Sequence, residues 1–183
     1  GPVLVSIAGG VRTAALRRWL PDLPLVRAMP NRAALVGAGI TALFASADVG
    51  REARELAEQV LTSVGRCVWV GEEALIDVVT AVSGSGPAYF FLLAEQLAAA
   101  GRALGLDAAT AQLLATETLF GAGQLAHADP NLAEQRAAVA SKGGTTEAAL
   151  KVLHEGGLAA LIDAAVQAAA RRGAAMADEF GSP

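Results

Sequence analysis

Short apolar runs alternate with stretches of helical periodicity between residue 3 and about residue 71. Val3-Leu4-Val5-Ser6-Ile7 predicts a short strand, and Arg12 to Leu20 a helix closed by Pro21. Leu25 to Met29 predicts a second strand, stopped by Pro30-Asn31, and Gly39 to Phe44 a third. Arg51 to Val64 reads as a helix with Leu56, Val60 and Leu61 on one face and Gly65 closing it. Cys67 to Val70 predicts a fourth strand. This alternation implies an α/β unit with a partly parallel sheet. From Glu72 onward the strand pattern stops. Helices are expected over 73–82, 87–104, 108–128, 131–139, 146–155 and 158–179, with Asp107 and Asn131 as N-caps. Two of these helices are long, rich in Ala and Leu, and apolar around the whole barrel. Such helices are covered on more than one side, which predicts a helical oligomer interface. The chain opens inside a strand, and a doubly wound sheet needs more βα units than it contains, so a preceding part is expected to be missing. Gly1-Pro2 and Gly181-Ser182-Pro183 read as foreign ends.

Composition narrows the class. The chain has 183 residues, enough to bury about 70% of its unfolded surface, so the expectation is one domain or one with a small attached unit. Apolar residues make up 54% and the mean hydropathy is +0.44, which excludes disorder. Alanine supplies 43 residues and aromatics only 4%, which favours close-packed helices over an aromatic-centred sandwich. The apolar stretch from Gly156 to Ala170 is broken by Asp163 and Gln167, and no run is read as reaching the ~20 residues of a membrane span. The net charge of −4 argues against nucleic acid. No leader pattern is read at the start. The single cysteine, Cys67, excludes an internal disulfide framework and suits a reducing, cytoplasmic setting; it is read as a small core residue of its strand. His127 and His154 are read as helix-surface residues, so no metal site is expected. The 14 basic residues are 12 Arg and two Lys, Lys142 and Lys151.

Three glycine-rich places carry candidate chemistry. Ile7-Ala8-Gly9-Gly10 lies between a strand and a helix, where open α/β sheets receive ligands; a plain tight turn is the alternative. Ser83-Gly84-Ser85-Gly86-Pro87-Ala88-Tyr89 presents hydroxyls and amides at a helix start, with Ser85 or Gly86 as cap, Pro87 in the first turn and Thr80 one turn earlier. A well-capped helix–helix turn is the alternative. Ser141-Lys142-Gly143-Gly144-Thr145-Thr146-Glu147 opens another helix, with Thr145 or Thr146 as N-cap. Free amides and two hydroxyls there suit a carboxylate or phosphate, and Lys142 could steer an anion. No Gly-x-Gly-x-x-Gly fingerprint, Ser-His-Asp set or Gly-Lys-Ser/Thr loop is found. Hydroxyls, amides and glycines suit holding a small carboxylate while a reduced nicotinamide does the chemistry.

Arg27-Ala28-Met29-Pro30-Asn31, Val36-Gly37-Ala38-Gly39, Val82 to Tyr89, and Gly143-Gly144-Thr145-Thr146-Glu147-Ala148-Ala149-Leu150 occur in order, after a strand ending Ser6-Ile7-Ala8. Together they resemble the pyrroline-5-carboxylate reductase family over residues 3 to about 178. The resemblance implies reduction of 1-pyrroline-5-carboxylate to L-proline with NADPH or NADH, in a homodimer that often builds a decamer. It implies a fold class of α/β remnant of a Rossmann domain over 1–72, lacking the first ~90 family residues with the dinucleotide fingerprint. An all-α dimerisation and substrate-binding domain, an interlocked helical bundle, would follow over 73–183. It further implies a substrate carboxylate held by the amides of Ser141, Gly143, Gly144, Thr145 and Thr146 and the Thr146 hydroxyl, with Val139 lining the pocket. Thr80 would be the catalytic residue near the imine nitrogen, with Ser83 and Ser85 shaping that wall. Ile7, Ala8 and Gly9 would lie under the cofactor.

The chain departs from the family pattern at Asn31-Arg32-Ala33, where Asn-Thr-Pro is common, at Ser141-Lys142, where Ser-Pro is common, and at Ala8-Gly9-Gly10, where Ala-Ala-Gly is common. Losing two prolines loosens two loops. A rival reading is a non-catalytic helical dimerisation fragment, favoured by the missing fingerprint. A β-hydroxyacid-type dehydrogenase is disfavoured, because no lysine follows Gly86 in Pro87-Ala88-Tyr89-Phe90-Phe91-Leu92.

Overall fold

The computed structural model describes residues 1–181, so Ser182 and Pro183 of the expected foreign end lie outside the described residues. The chain forms two compact units. One comprises Gly1–Pro87 together with the chain from Ala164 onward, and the other Ala88–Asp163.

The first unit holds strands β1 (Leu4–Ser6), β2 (Leu25–Pro30), β3 (Gly39–Ala45) and β4 (Gly65–Trp69), in that spatial order. β1 and β2 are parallel, β2 and β3 antiparallel, and β3 and β4 parallel, so the sheet is partly parallel as expected. Helix α1 (Thr13–Trp19) links β1 to β2, and α2 (Arg51–Leu61) links β3 to β4. β2 and β3 are the central strands and are buried on both faces, which is why they read as continuous apolar runs. On one face Val26, Ala28, Leu43 and Ala45 pack against Ala57 of α2, with Trp69 and Cys67 at the edge of the cluster. Alternation along β2 turns Arg27 to the other face. Burial, and then the nearby Glu58 charge, push the half-buried Cys67 thiol upward, consistent with a packing role. The expected helix over 51–64 ends instead at Leu61 and tightens into a 3₁₀ turn over Thr62–Val64 before Gly65.

Helix α3 (Leu75–Val79) passes into a π turn (Thr80–Gly84) and then into α4 (Gly86–Ala103) without a loop. The stretch Leu75–Ala103 is therefore 29 residues long and apolar enough to cross a membrane by length and composition. This corrects the expectation that no run reaches that length. Gly84 and Pro87 do not break the helix, so two apolar segments join. The core helix of a soluble protein passes the same test.

The second unit continues with α5 (Ala108–Ala128), α6 (Leu132–Ala138) and α7 (Thr145–Glu155), and α8 (Leu158–Gly181) runs from it into the first unit. Asp107 and Asn131 cap α5 and α6 as expected, accepting from the amides of Thr110 and Glu134. His127 and His154 are exposed. The unit's buried cluster is small, made of Ala98, Ala111 and Ala115. Its larger apolar side chains lie outside: Phe90, Leu93, Leu113 and Phe120 are each more than half exposed. Large apolar side chains left outside a unit's core are the kind of surface that interfaces cover.

Candidate functional site

The first unit carries two of the three glycine-rich places, both at the carboxyl ends of β1 and β2. Ser6, the last residue of β1, pairs with Arg27 of β2. The chain then leaves the sheet at Ile7, Ala8 and Gly9, all exposed, and a Cβ placed on Gly9 would meet nothing within 4 Å. The turn is open to an approaching ligand. Two residues beyond Arg27, Met29 packs beneath the π turn, its Cε 3.1 Å from where a Cβ on Gly84 would stand.

The π turn replaces the expected capped junction. Neither Ser85 nor Gly86 ends a helix there: Ser85 keeps helical dihedrals and its amide donates to the Thr80 carbonyl at 2.8 Å. The hydroxyls of Thr80 and Ser83 donate to the carbonyls four residues earlier, of Ile76 (2.7 Å) and Val79 (3.2 Å). Such back-bonding competes with the regular ladder and favours a local bend. π turns of this kind concentrate at functional sites. Thr80, Ser83 and Ser85 are all half-buried.

The third place lies in the second unit. Val139 follows α6 and is exposed, as are Ser141 and Gly143. Gly143 turns the chain at φ +73, and the Gly144 amide donates to the Ser141 carbonyl at 2.9 Å. A Cβ on Gly144 would stand 2.5 Å from the Ser141 Oγ and 3.0 Å from its carbonyl oxygen, so a side chain there requires the Ser141 hydroxyl to turn away and its carbonyl to shift by a few tenths of an ångström. The expected cap is corrected here. Gly144 is the N-cap residue and Thr145 the first helical residue, with no threonine side chain bonded to the helix start. Instead Glu147 reaches back and accepts from the Gly143 amide at 2.6 Å. The amides of Thr145, Thr146 and Glu147 then point out of the first turn with no carbonyl partner in the helix. Thr145 is exposed and Thr146 half-buried.

Sequence reasoning missed two participants. Glu147 lies three residues past the N-cap, the spacing of a capping box, and that signal was legible. Glu73 gave none, because its partners are 46 and 60 residues away. It accepts from the Thr13 amide (2.6 Å), the Thr13 hydroxyl (2.8 Å) and the buried Arg27 guanidinium (2.8 Å). Burial alone would raise the Glu73 carboxyl, but these donors outweigh it and hold the group below its ordinary value.

A partly parallel four-stranded sheet followed by a mostly helical region is a Rossmann remnant joined to a helical dimerisation domain. Residues 73–176 match the family model described as pyrroline-5-carboxylate reductase dimerisation. A pyrroline-5-carboxylate reductase of Pseudomonas aeruginosa is 46% identical over 181 residues, covering 98% of this chain and 66% of the relative. One of Mycobacterium leprae is 45% identical, covering 91% and 63%. The solved pyrroline-5-carboxylate reductase of Coxiella burnetii superposes with a TM-score of 0.90 at 41% identity, over 95% of this chain and 65% of that one. A Plasmodium falciparum pyrroline carboxylate reductase solved with NADP bound superposes at 0.83 with 28% identity, over 96% and 67%. The chain belongs to the pyrroline-5-carboxylate reductase family. It spans about two thirds of the length of these relatives.

Proposed function

We propose that this chain is the substrate-binding and dimer-forming part of a cytoplasmic enzyme that reduces 1-pyrroline-5-carboxylate to L-proline with NADPH or NADH. The observation that carries the reading is the Ser141–Glu147 loop. Its outward-facing amides suit an anion, in a chain 46% identical to a protein named pyrroline-5-carboxylate reductase.

In this reading the Thr145, Thr146 and Glu147 amides and the Thr146 hydroxyl take the substrate carboxylate, aided by the helix dipole. Val139 gives the ring an apolar wall, and Lys142, exposed beside the loop, adds long-range attraction for an anion. Thr80 stands at the ring nitrogen. Its hydroxyl hydrogen is committed to the Ile76 carbonyl, so its oxygen is left to accept. It would receive the N–H of the protonated imine and stabilise the iminium, with the proton drawn from solvent. Ser83 and Ser85 shape that wall. No strong acid is required; rate comes from orientation and from a site that favours the cation. Ile7, Ala8 and Gly9 fit a cofactor's ribose and phosphates, because their turn is exposed and open at the carboxyl end of a parallel strand. When bound, the reduced nicotinamide supplies the hydride.

The small alanine core of the second unit and its exposed Phe and Leu side chains support pairing with a second copy, and the decamer of the family is the further assembly we expect. The missing Gly-x-Gly-x-x-Gly motif favours a second reading, a helical dimerisation fragment that is inactive by itself. Calorimetric titration with L-proline tests the loop directly. Binding to the protein that is weakened in Thr146→Ala supports the assignment; equal binding by both overturns it. Failure of the 183-residue chain to bind NADPH would favour the fragment reading for this polypeptide.

A further inference from the structure

The Arg27–Glu73 pair is not among the groups assigned to the substrate or the cofactor. Arg27 is 3% exposed, and its guanidinium meets the half-buried Glu73 carboxylate at 2.8 Å. An ion pair taken out of water does not repay its desolvation better than apolar packing of the same volume. Stability alone therefore does not explain it. Its geometry does more. One Glu73 oxygen accepts from both Arg27 and the Thr13 amide, and the other accepts from the Thr13 hydroxyl. Thr13 is the first residue of α1, and the Ile7–Gly9 turn lies just before it. The other end of that turn is fixed by Ser6, paired with Arg27 itself. One end of the turn is thus tied to the Arg27 backbone, and the other, through the Glu73 carboxylate, to the Arg27 guanidinium.

The same glutamate begins the approach to Thr80. The Glu73 carbonyl accepts from the Ile76 amide at 3.0 Å, and the Ile76 carbonyl accepts from the Thr80 hydroxyl at 2.7 Å. Ile76 is buried and cannot shift freely. Two residues beyond Arg27 on β2, Met29 supports the far end of the same segment at Gly84. An unbroken series of short bonds therefore runs from Thr13 through the Glu73 side chain and backbone to Ile76 and the Thr80 hydroxyl.

We propose that Arg27 and Glu73 are positioning residues that set the Ile7–Gly9 turn and the Thr80 hydroxyl at a fixed separation, and so align hydride donor and iminium carbon. This rests on the reading of Thr80 and that turn as the two walls of the reaction site. Misplacement of about an ångström at such a site costs orders of magnitude in rate, whereas binding of the separate ligands is affected far less. The expected signature is a loss in kcat with KM nearly kept.

The test uses the protein as its gene encodes it. Glu73→Gln keeps the shape but removes the charge. Thr13→Val removes one hydrogen bond at the edge of the network and keeps the proposal testable should Glu73→Gln fail to fold. Asp48→Asn, which breaks the surface pair with Arg17, is the control. We expect kcat to fall about tenfold in Glu73→Gln and about threefold in Thr13→Val, with KM for 1-pyrroline-5-carboxylate within about twofold and Asp48→Asn unchanged. Amide exchange should quicken at residues 8–13 and 76–85 in both variants. In Arg27→Lys, which keeps the charge, kcat should exceed that of Arg27→Met. An unchanged kcat in folded variants, or a rise in KM with kcat kept, overturns the proposal. So does a loss of rate fully accounted for by unfolded protein. If the wild-type protein does not turn over at all, the proposed function fails instead, and the exchange data alone decide whether the two segments are coupled.

Discussion

The Glu147 carboxylate accepts from the Gly143 amide at 2.6 Å, so the residue that closes the Ser141–Thr146 loop comes from the helix the loop opens. It satisfies one amide and holds Gly143 in its left-handed conformation, leaving the amides after it to face a ligand. Removing it in Glu147→Ala should cost about 1 kcal/mol of stability, as loss of a capping interaction does. It should also raise KM for the substrate a few-fold. Thermal melts and steady-state kinetics check both, and an unchanged KM would mean the loop needs no such brace.

Thr146→Ala should raise KM about tenfold, the loss of roughly 1.4 kcal/mol expected of one hydrogen bond to a charged ligand. The oligomeric state, read by size-exclusion chromatography with light scattering, should not change. Gly144→Ala should also weaken binding. Its new methyl would stand 3.0 Å from the Ser141 carbonyl oxygen and closer still to the Ser141 hydroxyl, so the hydroxyl must turn and the loop backbone must shift slightly. KM should rise while α7, which lies beyond the contact, keeps its helical content by circular dichroism.

Much of this was legible from the chain alone. The four strands follow from apolar runs punctuated by Pro and Gly, and the caps at Asp107 and Asn131 from residue type and position. What was misread has a common cause. The Ser83–Gly86 stretch reads as a capped turn between two helices with Pro87 in the first turn of the second, but back-bonding by Thr80 and Ser83 bends the chain into a π turn that joins them. Thr145 and Thr146 read as caps, but Gly144 is the N-cap residue and Glu147 reaches back to the Gly143 amide, so neither threonine hydroxyl caps the helix. Glu73 was invisible because its meaning depends on Thr13 and Arg27, remote in sequence and adjacent only once the sheet is formed.

The Glu73 carboxyl lies below its ordinary value in the folded protein. A depressed carboxyl contributes stability that is present above its unfolded pKa, near 4.3, and is lost as pH falls through the folded value. The wild-type protein should therefore lose stability more steeply than Glu73→Gln below about pH 4.3. Denaturant titrations at pH 7, 5, 4 and 3 give the comparison. Parallel curves for the two proteins would show that Glu73 is no better bonded in the folded chain than in the unfolded one.

A charge on the exposed apolar face of α4 should separate the copies. Leu93→Glu places a carboxylate where we expect a partner helix, and burying an unpaired charge there costs several kcal/mol. Light scattering should report a monomer at concentrations where the wild-type protein is a dimer or larger. A variant that remains associated would move the interface to another face.

The central claim is tested most directly by following NADPH absorbance in the presence of 1-pyrroline-5-carboxylate, with the 183-residue chain beside the protein as its gene encodes it. We predict that the gene product oxidises NADPH in step with formation of L-proline, and that the 183-residue chain alone, without the dinucleotide fingerprint, does not. No oxidation by the gene product would contradict the proposed reaction.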